Sequence, residues 1–228
     1  MPSDQENFLG HRKRLKERFL RSPLRTFADY EVLELFLFDA IPRKDTKILA
    51  KTLLQKFSSL QGVFSADIHD LKSVTGVGDS VIIRLKMMMD IFSRFHLNIN
   101  EKEWHVLSNW SSVISYCNLT MGFKRKEFFR ILFLDKRNFL LADELLDSGT
   151  IDKVSVYPRE IVKHAIAHNA SAIILVHNHP SGDCLPSEQD IVLTRSIEHA
   201  LSGVHIVVHD HIIVAKNSHY SFKATGLL

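Results

Sequence analysis

An apolar run in the second half of the chain restricts the possible folds more than any other feature. It spans residues 171–179 and reads SAIILVHNH. A strand that is apolar at nearly every position has to be buried on both faces of its sheet. Helix-like segments flank the run, namely VYPREIVKHAIAHNA, with Pro158 at its start, and SEQDIVLTRSIEHALSG, which ends at Gly203. This alternation of strand and helix predicts an α/β domain.

Two further segments of the same region have the pattern of strands. EFFRILFLDKRNFLLADELL contains two apolar runs around a Lys-Arg-Asn turn, which predicts a β-hairpin. VHIVVHDHIIVA, near the end, also has the character of a strand. On a regular strand His209 and His211 share one face, where they are either partners of a functional site or packing and surface residues.

The first hundred residues have the pattern of helices instead. DYEVLELFLFDAI and DTKILAKTLLQKF carry apolar residues at the helical period, and Pro42 ends the first of these helices. The pattern weakens between Asn98 and Trp110, where we place a linker. The sequence therefore predicts a small all-α domain at residues 1–100 and an α/β domain at residues 106–228.

The composition excludes several classes of protein. Hydrophobic residues make up 45% of the chain, which is enough for a substantial core. The two cysteines, Cys117 and Cys184, lie in unrelated contexts, so they form no disulfide framework and suit a reducing compartment. No apolar run reaches the roughly 18 residues of a membrane span, and the N-terminal segment has no apolar stretch typical of a signal peptide. We expect a soluble, cytoplasmic protein with no membrane partner.

Two histidines and an aspartate follow the apolar run at a spacing that suits a metal ion. His177 and His179 lie two residues apart on the strand, so their side chains point to the same face. Asp190 lies in the first turn of the next helix, and the turn PSGDCLP can return it to the strand end. Two histidines and one carboxylate are a recurrent catalytic zinc set. Ser187 and Asp190 fit a helix capping box equally well, and the spacing alone leaves both interpretations open.

The motif that these residues form resembles that of a known superfamily. His177-Asn178-His179, followed by Ser187 and Asp190, is similar to the His-x-His-x7-Ser-x2-Asp motif of JAMM/MPN zinc metalloproteases. The string HNHPSGDCLPSEQD, with GTIDKVSVYPREIVKHAI before it and DHIIVA after it, resembles the RadC family of bacterial proteins. GHRKRLKERFL, DYEVLELFLFDAIPRKDTKILAKTLL and VTGVGDSV extend the resemblance through the first half of the chain.

The resemblance implies a mixed sheet flanked by helices and assigns a role to each residue of the motif. His177, His179 and Asp190 would bind Zn²⁺. Ser187 would hydrogen-bond the reacting group, and Glu127 would occupy the place of the general acid and base. The sequence alone does not distinguish Glu127 from Glu144 for that last role.

One departure from the superfamily pattern concerns the residue between the two histidines. It is Asn178, where superfamily proteases usually have Ser or Thr. The substrate specificity of those proteases is therefore not assigned to this chain. The contiguous letters HNH do not indicate an HNH nuclease, since that motif is spread over a ββα unit. Cys184 follows the motif, and we interpret it as a spectator thiol because the ligand set is complete without it.

The first half of the chain carries features that suit DNA. DLKSVTGVGDSVIIRLK, residues 70–86, resembles a helix-hairpin-helix, which we place at about residues 71–90; its glycines, Gly76 and Gly78, let backbone N–H groups approach a phosphate. Seven basic residues lie between His11 and Arg25, among them Arg12, Lys13 and Arg14. These features predict binding to DNA without sequence preference, and packing between helices or a solvated helix face explains them equally well.

Two functions follow from these patterns. The favoured hypothesis is a zinc-dependent hydrolase that attacks an amide or peptide-like bond of an unknown protein or peptide substrate. The alternative is a DNA-associated binding protein whose zinc site is structural or inactive, in keeping with the DNA-repair label that the RadC family carries.

Overall fold

The structure is a computed structural model that describes residues 4–97, 110–146, 156–216 and 218–228. The predicted linker between Asn98 and Trp110 falls on residues 98–109, which lie outside the described residues. The chain separates into two compact units, Met1–Asp90 and Ile91–Leu228.

The first unit consists of helices, as its sequence pattern predicts. A buried apolar cluster from α2 to α6 forms its core, with Leu33, Leu53, Leu71 and Leu85 fully buried. The helices are α1 (Asp4–Arg21), α2 (Asp29–Leu37), α3 (Lys47–Phe57), α4 (Leu60–Ser65), α5 (Ile68–Lys72) and α6 (Asp79–Leu97), with a 3₁₀ turn at Leu24–Thr26. The unit boundary at Asp90 falls within α6.

The second unit is built on a five-stranded mixed sheet, which confirms the predicted α/β class. Its strands are β1 (Phe129–Leu134), β2 (Leu140–Leu146), β3 (Ala172–Asn178), β4 (Val207–Ala215) and β5 (Ser218–Ser221), and its helices are α7 (Trp110–Met121), α8 (Pro158–Ala167) and α9 (Glu188–Ser202). The strand order is β2-β1-β3-β4-β5. Only the β3–β4 pair is parallel within this sheet, since α9 connects these two strands as a crossover.

Helices cover both faces of the sheet. Residues of α7 pack with one set of strand residues, including Leu132, Ile174 and Ile212. Residues of α8 and α9 pack with the alternate set, including Ile131 and Leu175. All seven residues of β3 are buried. The prediction of a strand buried on both faces is therefore confirmed.

A bulge in β4 changes the positions of two histidines. Ile173 pairs with Val208 but Ile174 pairs with Asp210, so the register shifts by one residue at His209. Consequently His211 is fully buried, whereas His209 is half-buried and its Nε2 lies 2.6 Å from Oδ1 of Asn138. The expectation that His209 and His211 share a face assumed a regular strand, and the bulge between Val208 and Asp210 interrupts that regularity.

No helix among the described ranges is long and apolar enough to cross a membrane.

Candidate metal centre

Four side chains from three parts of the second unit meet at the end of β3. They are Glu127, His177, His179 and Asp190, and one ligand atom from each lies within 4.8 Å of the others. The pairing of Phe129 with His177 brings the residues just before β1 alongside the end of β3. The first turn of α9 supplies Asp190.

The contacts between the nitrogen and oxygen atoms of the centre are short. Nε2 of His177 lies 2.9 Å from Nε2 of His179. Oδ1 of Asp190 lies 3.2 Å from His177 Nε2, and Oδ2 lies 3.5 Å from His179 Nε2. His177 is 1% exposed and Asp190 is 9% exposed, so both are shielded from bulk water.

The hydrogen bond of His179 fixes which of its nitrogens has a free lone pair. Its Nδ1 lies 2.8 Å from the backbone carbonyl oxygen of Asp183. A carbonyl oxygen can only accept, so Nδ1 carries the proton. In the neutral imidazole, Nε2 then presents its lone pair to the centre.

A chain of three hydrogen bonds fixes His177 in the same way. The hydroxyl of Thr194 donates to the carbonyl oxygen of Asp190 at 2.5 Å, so its oxygen must accept from Nδ1 of His211, which is 2.6 Å away. Burial, together with the neighbouring His177, holds the pKa of His211 well below its ordinary value, so the ring is neutral and its Nε2 is an acceptor. Nδ1 of His177 therefore donates to His211 Nε2 at 2.8 Å, and His177 Nε2 keeps its lone pair.

Two lone pairs and a carboxylate thus face one another at distances of 2.9 to 3.5 Å. Such groups repel unless a metal ion or a proton lies between them, and the neighbouring Asp190 raises the pKa of His179. Two imidazole nitrogens and one carboxylate oxygen are a ligand set that divalent transition metals prefer. These residues therefore suit a metal ion. Glu127 belongs to the same group, so its carboxylate would lie close to that ion.

Asp190 caps α9 and also lies among the candidate ligands, so its position suits both roles that the sequence left open. Its Oδ2 accepts from the backbone N–H and the hydroxyl of Ser187, each at 2.7 Å, and its own N–H donates to Ser187 Oγ at 3.2 Å. This is a complete capping box at the start of α9. Partial burial raises the pKa of Asp190, but its contacts with His177 and His179 and the hydrogen bond from Ser187 outweigh it and hold the pKa far below its ordinary value. The carboxylate is therefore anionic while it caps the helix.

Asn178, which departs from the superfamily pattern, ties β3 to the segment that carries Glu127. Its side chain is fully buried. Oδ1 accepts from the N–H of Phe128 at 2.9 Å, and Nδ2 donates to the carbonyl oxygen of Lys126 at 2.9 Å. The amide thereby holds the backbone on both sides of Glu127. The amide has separate donor and acceptor atoms for these two bonds, whereas a Ser or Thr hydroxyl has a single oxygen for both.

The structure separates the two glutamates that the sequence could not distinguish. Glu127 lies in the group with His177, whereas Glu144 contacts two other histidines on α8. Cys184 is half-buried and does not belong to either group of candidate ligands among the described residues.

Sequence reasoning missed the supporting residues of this centre. Thr194 carried no signal of its own, although it lies one helical turn after Asp190 and so on the same face of α9. His211 was predicted to be either a partner of the functional site or a packing residue, and its Nε2 lies 2.8 Å from Nδ1 of His177. The role of Asn178 could not be inferred, because its partners lie about 50 residues earlier in the chain.

The residues predicted to bind DNA have different surroundings in the first unit. Lys13 and Arg14 are exposed, whereas Arg12 is only 9% exposed. The guanidinium of Arg12 donates to the carbonyl oxygens of residues 38, 41, 42 and 44, at distances of 2.5 to 3.1 Å. These bonds give partners to carbonyl oxygens at the C-terminal end of α2 and in the following turn. The guanidinium is therefore already bonded to the protein backbone.

The predicted hairpin lies between α5 and α6. Gly76 has φ +93°, a conformation that favours glycine. Gly78 has a negative φ and nothing within 4 Å of where a Cβ would stand, so its surface is open. The exposed Asp79, which follows it, lies 3.7 Å from Lys72.

A comparison with models of protein families matches residues 107–227 of the chain to the family described as RadC-like JAB domain. The match covers the whole sheet and all four residues of the candidate metal centre.

Proposed function

Because the chain belongs to the RadC family of the JAB/MPN superfamily, we propose that it is a zinc-dependent hydrolase that cleaves an amide or peptide-like bond. His177, His179 and Asp190 are the proposed ligands. Bound zinc would supply Lewis acidity and a water that is activated for attack near neutral pH.

Glu127 is the proposed general acid and base. Its carboxylate lies within 4.8 Å of the three ligand atoms, close enough to exchange a proton with a water in their midst. In the proposed reaction Glu127 takes the proton of the attacking water and delivers it to the leaving nitrogen. The Asn178 clamp holds the backbone on either side of it during both transfers.

Ser187 is the proposed hydrogen-bond donor to the substrate. Its hydroxyl now donates to Oδ2 of Asp190. If the hydroxyl turns to a substrate oxygen, the N–H of Ser187 still donates to the same carboxylate oxygen. Asp190 therefore keeps a partner while the hydroxyl stabilises the developing negative charge.

The observation that carries this proposal is the fixed direction of the two imidazole lone pairs. The Nδ1 atoms of His177 and His179 are both occupied as donors, and both Nε2 atoms face Asp190. A purely structural role for these histidines does not require both lone pairs to converge.

Metal analysis and one matched variant test the proposal. The purified protein should hold zinc at the centre, and His177→Ala should lose it. Glu127→Gln has nearly the same shape but cannot take a proton, so it should keep the zinc and lose hydrolysis in a screen of peptide and amide substrates. Hydrolysis at the wild-type rate by Glu127→Gln would remove Glu127 from the mechanism, and absence of zinc from the wild type would reject the centre.

A second candidate function, DNA binding by the first unit, is favoured by the exposure of Lys13 and Arg14 and by the open backbone at Gly78. We propose these residues together with Gly76, without Arg12, whose guanidinium bonds to carbonyl oxygens. Neutralising both Lys13 and Arg14 should weaken binding to duplex DNA of any sequence at low salt and reduce its salt dependence. Unchanged affinity at low salt would reject this function.

A further inference from the structure

A separate group of three side chains lies between β2 and α8. Glu144 is in β2, His164 is in the last turn of α8 and His168 caps that helix. Oε2 of Glu144 lies 2.6 Å from Nδ1 of His164, and Oε1 lies 2.5 Å from Nε2 of His168. One ligand atom of each residue lies within 4.8 Å of the others. Both nitrogens therefore point to the same carboxylate.

The backbone holds these three residues in place. His164 and His168 are four residues apart, so their side chains lie one above the other on the same face of the helix. Glu144 of β2 pairs with Ile131 of the neighbouring strand β1, and Ile131 faces the helices α8 and α9. The carboxylate therefore projects from the sheet towards the two histidines. The His168 ring also packs against Phe133, with 4.7 Å between ring centroids.

The three side chains are accessible and the carboxylate is charged. Between 29% and 36% of each side chain is exposed, which leaves room for water to complete a coordination sphere. Partial burial raises the pKa of Glu144, but the hydrogen bonds to His168 and His164 outweigh it, so its pKa lies below the ordinary value. The carboxylate is therefore anionic at neutral pH.

The group is too far from the candidate metal centre to share its ion. Glu144 pairs with Ile131, and Ile131 pairs with Leu175, which lies two residues before His177. Two strand spacings of ~4.8 Å and two residues of ~3.3 Å separate the backbones of Glu144 and His177 by roughly 12 Å. The ligand atoms of the two groups do not form one cluster within 4.8 Å, and a metal–ligand bond spans only about 2.0–2.2 Å, so each group needs its own ion.

We propose that Glu144, His164 and His168 form a distinct binding site for a divalent transition-metal ion, which links β2 to α8. Two imidazole nitrogens and a carboxylate oxygen suit Zn²⁺, Co²⁺ or Ni²⁺, and they disfavour Mg²⁺ and Ca²⁺, which take oxygen ligands. On binding, the proton of each coordinating nitrogen moves to the other nitrogen of the same ring, and the metal replaces the two N–H···O bonds. Water completes the coordination from the exposed side.

Zinc stoichiometry of the untagged full chain tests the site. The proteins are wild type, His168→Ala, His179→Ala and the double variant with both changes. His199→Ala is the control, since His199 is an exposed histidine on α9 outside both groups. Each is dialysed against zinc, and the bound metal is measured by elemental analysis. The zinc-induced rise in Tm of each protein is a second readout, because an ion that binds only the folded state raises its stability.

We expect His168→Ala to bind one equivalent less than wild type, His179→Ala to keep one equivalent, and the double variant to bind none. His199→Ala should match wild type. In another outcome, wild type binds one equivalent of zinc, which His168→Ala loses and His179→Ala keeps. That result would support this site and reject zinc binding at the proposed hydrolase centre. If His168→Ala binds as much zinc as wild type, or His179→Ala binds none, Glu144 and the two histidines form only an ion pair and this site is refuted.

Loss of folding is separated from loss of metal by two measurements. Circular dichroism of each metal-free variant should match wild type. Glu144→Gln supplies a second test, because the amide keeps the side-chain volume and one oxygen acceptor but lacks the negative charge. It should also lose the equivalent, and full zinc binding by a folded Glu144→Gln would overturn the proposal.

Discussion

Replacing His211 by Phe would test whether the hydrogen-bond chain directs the lone pair of His177. The His211 ring packs against Phe222, with 4.8 Å between ring centroids, and against Phe129 at 5.7 Å, so a phenyl ring suits the same space. The change removes the acceptor of the His177 Nδ1–H bond. His177 is then free to adopt the tautomer that carries its proton on Nε2, where that proton blocks the metal.

The expected magnitude follows from this single lost contact. Loss of a hydrogen-bond partner of a ligand histidine typically weakens metal binding 10–100-fold, or by about 1.4–2.7 kcal/mol. His211→Gln should fall between wild type and His211→Phe, because its amide oxygen can accept in place of the imidazole nitrogen. Thr194→Val removes only the far end of the chain. It should therefore weaken binding less than His211→Phe does.

Competition with a chromophoric zinc chelator measures these affinities without any substrate. To separate the two proposed sites, the series is made in the His168→Ala background. Circular dichroism of the metal-free proteins shows whether each variant is folded. A folded His211→Phe that binds zinc as tightly as its parent would refute the hydrogen-bond chain as the cause of the His177 orientation.

Three further predictions concern stability and reactivity. Asn178→Ala leaves the two backbone groups that it now bonds without partners, and it should lower the free energy of unfolding by about 2–4 kcal/mol in urea denaturation; a loss below about 0.5 kcal/mol would contradict the clamp. Native protein should react with a thiol reagent at Cys184 but not at Cys117, since Cys117 is 0% exposed and burial raises the pKa of its thiol to about 12. Two reactive thiols before denaturation would count against the buried position. The hydrogen bond from Arg18 lowers the pKa of Glu31, so its stabilising effect is present above the unfolded pKa of about 4.3 and is lost as the pH falls through the folded value. Glu31→Gln should therefore destabilise the protein by about 0.5 kcal/mol at pH 7 and by less at low pH, and an equal loss at both would disprove the assignment.

Short-range patterns were sufficient to predict the elements of the candidate centre. Strand alternation predicts that His177 and His179 point the same way, and the capping-box spacing predicts that Asp190 begins a helix. Both depend only on local backbone geometry. The apolar run before His177 likewise predicted a strand covered on both faces, because each of its residues needs a partner.

Features that depend on the pairing of distant strands could not be predicted from the sequence. The bulge that separates His209 from His211 arises from the pairing of β4 with β3, and no residue type marks it. The choice between Glu127 and Glu144 depends on the register of β1 between its two neighbours. β5 escaped prediction because its four residues are too few for a clear period.

The dual role of Asp190 has a consequence for the evolution of this fold. A change at Asp190 that removes the proposed metal ligand also removes the cap of α9, with its bonds to Ser187. Loss of such a cap costs about 1 kcal/mol even where no metal is needed. If the proposed catalysis is lost in a descendant, Glu127 or a histidine should therefore change first while Ser187 and Asp190 are retained, so this pair by itself is a poor marker of an active enzyme.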